Sequence, residues 1–169
     1  AAFWGQPAAI HALIETQRIN INLQNNDGHT ALHVAARWGQ LAAIDTLIAQ
    51  RADVDLQNND GYTASHEAAR WGQPEAIHAL IAQGGDVNLQ NNDGHTALHV
   101  AARWGQPAAI NALIAQGASV NLQNNDGHTA SHEAARWGQP AAIHALIAQG
   151  ADVNLQNKDG HTAIHIAAK

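Results

Sequence analysis

The run Asp27-Gly28-His29-Thr30-Ala31-Leu32-His33-Val34-Ala35-Ala36-Arg37-Trp38-Gly39-Gln40 returns, nearly unchanged, every 33 residues, starting again at Asp60, Asp93, Asp126 and Asp159. A fixed period of this length means a stack of small units, each packed only on its neighbours, in place of one central core. The chain therefore extends by repetition, and its surface carries the same residue types at regular intervals.

One unit can be read from Asp27 to Asn59. Thr30 precedes an apolar-periodic run and reads as an N-cap. His33, three residues on, can reach back to the cap as a capping-box Glu does. Leu32, Ala35 and Ala36 fall at i, i+3 and i+4 and form a buried stripe. Gly39 closes this short helix. A second helix starts at Leu41. Pro7, Pro74, Pro107 and Pro140 take that first-turn position in other copies, where a missing N–H is harmless. Ala43, Ile44, Leu47 and Ile48 make its inner face. A helix-closing glycine follows at Gly84, Gly117 and Gly150. Val54 and Leu56 are expected to alternate outward and inward, and Asn58-Asn59-Asp60-Gly61 to end the unit as a turn.

Thr30-Ala31-Leu32-His33-Val34-Ala35-Ala36, the closing Gly39, and Gly150-Ala151-Asp152-Val153-Asn154 resemble the ankyrin repeat; Ala31 stands where that family usually has Pro. The resemblance runs from Ala1 to Lys169. It implies an all-α solenoid of helix-turn-helix-β-turn units with a concave groove lined by turn tips and first helices. It also implies a molecule that binds other proteins and catalyses nothing. The repeat boundaries expected are a partial unit at 1–26, full units at 27–59, 60–92, 93–125 and 126–158, and a partial unit at 159–169.

Composition narrows the partner. The net charge is −6 and no basic patch emerges, which speaks against nucleic acid and anionic membrane surfaces. No apolar run approaches the roughly 20 residues that span a bilayer. Cysteine is absent, which fits a reducing compartment, and the expected location is cytoplasmic.

Three departures break the pattern. The first copy is one residue too long, within Glu15-Thr16-Gln17-Arg18-Ile19-Asn20. Arg51 replaces the glycine that closes the second helix. The first helices alternate between Leu32-His33-Val34 and Ser65-His66-Glu67, then Leu98-His99-Val100 and Ser131-His132-Glu133, so the true unit of duplication is 66 residues; 27–92 and 93–158 differ at ten positions. Ser65 and Ser131 at a buried Leu position read as packing defects.

Patterns that suggest chemistry are decoys. His66-Glu67 begins like a zincin helix, but Arg70 stands where the second His must be, and Arg136 breaks the second copy identically. Asn58 to Glu67 resembles a calcium loop, but Leu56 occupies its first ligand position. No nucleophile pairs with a base, so neither cofactor nor metal is expected.

The candidate site is a surface. Trp38, Trp71, Trp104 and Trp137 form a ladder flanked by Arg37, Arg70, Arg103 and Arg136, with His29, Tyr62, His95 and His128 on the turns opposite. Trp and Arg are enriched at binding hot spots. The competing reading is a structural spine of Arg stacked on Trp. Glu67 and Glu133 are expected to project beside Arg70 and Arg136 and to select a basic ligand. The function expected is a protein-interaction module; the alternative is a structural or engineered scaffold without a single cognate ligand. Head-to-tail self-association is a further expectation, from Ile10, Leu13 and Ile14 at one end and Ile164 and Ile166 at the other.

Overall fold

The computed structural model describes residues 6–16 and 19–169. Within them lie ten α-helices and no strand. One row is formed by α2 (Ala31–Arg37), α4 (Ala64–Arg70), α6 (Ala97–Arg103), α8 (Ala130–Arg136) and α10 (Ala163–Ala167), each packed on the next. A second row is formed by α1 (Pro7–Thr16), α3 (Leu41–Ala49), α5 (Pro74–Ala82), α7 (Pro107–Ala115) and α9 (Pro140–Ala148). The result is a two-layer solenoid whose core is a continuous seam of Ala, Leu and Ile between the rows, including Leu32, Ala36, Ile44, Leu47, Ile77 and Leu80.

The capping expectation holds in detail. In α2 the Thr30 N–H donates to His33 Nδ1 at 3.2 Å, and the His33 N–H returns to Thr30 Oγ1 at 3.4 Å. With Nδ1 accepting, the ring proton sits on Nε2, which donates to the Tyr62 carbonyl of the next repeat at 2.9 Å. His66, His99 and His132 make the same reach to the carbonyls of His95, His128 and His161. One side chain thus closes a helix and ties two repeats together.

The turns are cross-linked as well. The Asn59 N–H donates to the Asp27 carbonyl, and the bond repeats at Asn92, Asn125 and Lys158. Side-chain amides run in parallel: Gln24 Nε2 donates to the carbonyls of Gly28 and Gln57, and Asn59 Nδ2 to that of Asn26. The contact is so close that a Cβ on Gly28 would lie 2.5 Å from the Asn59 nitrogen, so only glycine, at φ +81°, fits there.

The expected placement of Val54 outward and Leu56 inward is not found: both are half-buried and Val54 is the one packed against the core, because this segment pairs through turns and not through a strand ladder. Arg51 does take the left-handed conformation of the glycine it replaces, at φ +66°, a conformation that costs an L-residue about 1 kcal/mol. Of the overlong first copy, Gln17 and Arg18 lie outside the described residues, as do Ala1 to Gly5. At the ends of the stack, Leu13 and Ile164 are exposed while Ile10, Ile14 and Ile166 are half-buried.

Candidate functional site

Each tryptophan of the ladder is the C-cap of a first-row helix, so the helix geometry sets its position and the stack sets its spacing. All four stay roughly half exposed: Trp38 58%, Trp71 48%, Trp104 48% and Trp137 51%. They are also stacked. Trp38 and Trp71 lie 6.2 Å apart at 22°. The Arg70 guanidinium sits 4.6 Å from the Trp104 ring, on the following repeat, and 5.9 Å from Trp71. Arg103 lies 5.3 Å from Trp137. The spine and the open face are therefore one structure: each ring has an aromatic or guanidinium neighbour and still stays about half exposed.

Glu67 and Glu133 correct the sequence reading. Neither projects beside the Arg of its own helix. Both are buried, with side chains 3% and 1% exposed, and each turns toward the preceding repeat. Arg37 Nε donates to Glu67 Oε2 at 3.0 Å, and Arg103 Nε to Glu133 Oε2 at 3.1 Å. Burial alone pushes the Glu133 carboxyl up. Hydrogen bonding to His95, the Arg103 charge and the contact with His128 outweigh it and hold the group down at about 2. Glu67 is likewise lowered, its burial outweighed by Arg37 and His29. Both carboxylates are already neutralised inside the stack and are not offered to a basic ligand. Helical spacing pointed to Arg70 because the sequence shows i,i+3 neighbours; the partner thirty residues away is set by packing.

The turn residues sit deeper than expected. His95 and His128 are buried, and Tyr62 and His29 are partly so. Each ring contacts the helix-capping His of its own repeat, from His29 on His33 to His128 on His132, with centroids 5.3–5.6 Å apart. Each accepts from the next turn where it has a nitrogen to do so: Asn58 Nδ2 donates to His29, Asn124 Nδ2 to His95 and Asn157 Nδ2 to His128. His128 is fully served, because its Nδ1–H also donates to Glu133 at 3.2 Å. His95 is not. Its Nε2 lies between the Asn124 donor and the Glu133 acceptor and can serve one at a time, while its Nδ1 is buried without a partner.

Between turns and first-row helices run two depressions. One of about 280 Å³ is lined by Asp93, His95, Arg103, Asp126, Glu133 and Arg136. A second of about 620 Å³ lies one repeat further on, around Arg136, Lys158, His161, Ile166 and Lys169. Among the described residues no group of three or more His, Asp or Glu is placed to hold a metal ion.

A family model described as ankyrin repeats (3 copies) matches residues 1–91 and, again, residues 66–157. The chain belongs to the ankyrin-repeat family. Comparison with curated protein sequences gives no match. Ankyrin repeats are in general protein–protein interaction modules and are typically non-catalytic. No helix among the described residues of this ankyrin-repeat chain is long and apolar enough to cross a membrane.

Proposed function

We propose that this chain is a protein-binding module that engages its partner across the groove face carrying Trp38, Trp71, Trp104 and Trp137. The observation that carries the reading is the half exposure of four tryptophans, one per repeat, on helix ends held rigid by capping and stacking. Large aromatic surface fixed in advance loses little entropy on binding and is a common source of hot-spot affinity. The role of Arg70 and Arg103 is to hold those rings in register. His29, Tyr62, His95 and His128 support the face from beneath, and Glu67 and Glu133 lock successive helices together. No cofactor takes part. The acidic net charge and the lack of cysteine suit a cytoplasmic setting.

The test is cross-linking of the chain in its source cell, with Trp71→Ala plus Trp104→Ala as the comparison. These side chains are half exposed, so the variant should keep its helical circular dichroism. Loss of a cross-linked protein partner in the variant is the expected result. An unchanged partner profile would move the binding face elsewhere.

A further inference from the structure

The alternation of first helices neutralises only every second arginine of the groove. Glu67 pairs with Arg37 and Glu133 with Arg103. At the equivalent place opposite Arg70 stands Val100, and opposite Arg136 stands Ile166. Among the described residues, no carboxylate comes within ion-pair distance of either of these two guanidinium groups. Arg70 lies over the Trp104 ring, and Arg136 is exposed. Arg136 also borders the 620 Å³ depression, which gathers Lys158 and Lys169 as well, against Asp126 and Asp159. Lys158 stands where the other turns carry Asn59, Asn92 and Asn125, so this depression is the one place where the turn adds a cation.

We infer that the groove takes an extended acidic segment of a partner protein, with carboxylates seated on Arg70 and on the Arg136–Lys158 end. This rests on the groove reading above and gives that site a charge preference, the reverse of the basic ligand suggested by the sequence. The Arg70 guanidinium, already ordered on the Trp104 ring, has lost rotamer freedom before the ligand arrives. Its planar N–H fork is then free to bind a carboxylate bidentately. Glu67 and Glu133 do not oppose such a ligand, since each is buried and answered by an arginine. With helices packed roughly 8–10 Å apart, Arg70 and Arg136 stand about 20 Å apart. An extended peptide at about 3.3 Å per residue spans that in about six residues. The matching ligand therefore carries two acidic groups about six residues apart, with apolar or aromatic residues between them to lie on Trp104 and Trp137.

The experiment pans a phage-displayed library of random peptides, each about a dozen residues long, against the immobilised chain. Affinities of synthesised winners are then measured for the unaltered chain, Arg70→Gln, Arg136→Gln, Trp71→Ala plus Trp104→Ala, and Arg51→Gly. The last removes one positive charge outside the groove. Winners should be enriched in Asp and Glu, Arg70→Gln and Arg136→Gln should each weaken binding about tenfold, and Arg51→Gly should leave it unchanged. Winners that are basic or neutral, acidic winners indifferent to both arginine variants, or no enrichment at all would overturn the inference. Neutral winners that are lost with the Trp variant would leave the groove reading standing and remove only its charge preference. Winners indifferent to the Trp and the Arg variants alike would remove both.

Discussion

Arg37 Nε donates to Glu67 Oε2 at 3.0 Å across a repeat boundary, while Arg70, on the same helix as Glu67, leans away over the Trp104 ring of the next repeat. The two arginines occupy equivalent positions and do different work because the residue facing each differs: Glu67 for one, Val100 for the other. A change of one residue in a 33-residue unit, valine to glutamate, thus creates a stack with a 66-residue electrical period. Paired arginines fasten helices together, and unpaired ones remain available to solvent.

The paired arginines should matter for stability and the unpaired ones should not. Arg37→Gln strands the Glu67 carboxylate inside the stack and is expected to cost about 2–3 kcal/mol. Arg70→Gln removes a stacked but ionically free group and should cost under about 1 kcal/mol. Adding Glu67→Gln to Arg37→Gln should restore much of the loss. Urea midpoints of the four proteins decide the matter; equal effects of Arg37→Gln and Arg70→Gln would contradict the assignment.

Tyr62 interrupts the chain of turn contacts. Asn91 Nδ2 is buried and has no hydrogen-bond partner, whereas Asn58, Asn124 and Asn157 each donate to a histidine at the position of Tyr62. Tyr62→His should therefore stabilise the protein by about 1 kcal/mol, by giving Asn91 an acceptor. A histidine there can also present Nδ1–H to Glu67, as His128 does to Glu133. The gain should vanish in an Asn91→Leu background, where there is no donor to satisfy. A lower unfolding midpoint for Tyr62→His would show that the lost phenol packing outweighs the bond.

The helices, the caps and the closing glycines were legible in the sequence, because each depends on residues within one turn or one helix of each other. The repeat period then carried that local reading along the stack. What escaped were the contacts between repeats. Glu67 was paired with Arg70 because only neighbours on one helix can be compared without a structure; its true partner comes from the preceding unit. The burial of His95 and His128 escaped for the same reason, since the turn of the next repeat covers them. A signal did exist: Glu67 and Glu133 occur only where the preceding copy offers an arginine with no other acid near it. Reading position 34 and its equivalents against the arginine of the copy before would have found the pair.

Asp55 is the odd member of another ladder. Asn22, Asn88 and Asn121 each accept the backbone N–H of the following repeat through a side-chain carbonyl. Asp55 accepts from the Asp86 N–H at 3.0 and 3.1 Å with both oxygens. Burial raises its pKa, and the charges of Asp86 and Asp53 add to the rise, against the lowering effect of the Asp86 N–H. A group whose folded pKa is raised supports the fold in its protonated form, so its contribution is present in acid and lost as pH rises through that pKa. At neutral pH the charge is a burden. Asp55→Asn should raise the urea midpoint at pH 7, and the gain should shrink to nothing below about pH 3, where the carboxyl is protonated in both states. A gain independent of pH would point to a cause other than ionisation.

The helix-capping histidines set the acid limit of the stack. Burial lowers His66 and His99 to about 4, partly countered by the carbonyls of His95 and His128 that accept from their Nε2–H groups. With Nδ1 accepting from the Thr cap, protonation removes an acceptor and puts a second donor against the Thr63 or Thr96 N–H. A folded pKa below the unfolded value means that stability is complete above about pH 6.5 and falls as pH drops toward 4. Urea midpoints should be level from pH 7 to 8 and decline steadily below 6.5. Glu133, at about 2, adds its own loss only at more acid pH. A flat profile down to pH 4.5 would show that these rings do not titrate with unfolding.

Ser65 and Ser131 fill positions that Leu32 and Leu98 fill in the other repeats, and all four side chains are buried to within 3% of full exclusion. Serine lacks most of the volume of leucine and brings a hydroxyl into an apolar seam. Ser65→Leu and Ser131→Leu should each raise the unfolding midpoint, by up to about 2 kcal/mol, if the seam has kept the room that leucine occupies in its neighbours. Overpacking would do the opposite, at a cost of about 1–3 kcal/mol. The two substitutions lie two repeats apart and should add. Midpoints unchanged or lowered for both would mean that the helices around serine have already closed in, and that the two kinds of repeat differ in spacing as well as in charge.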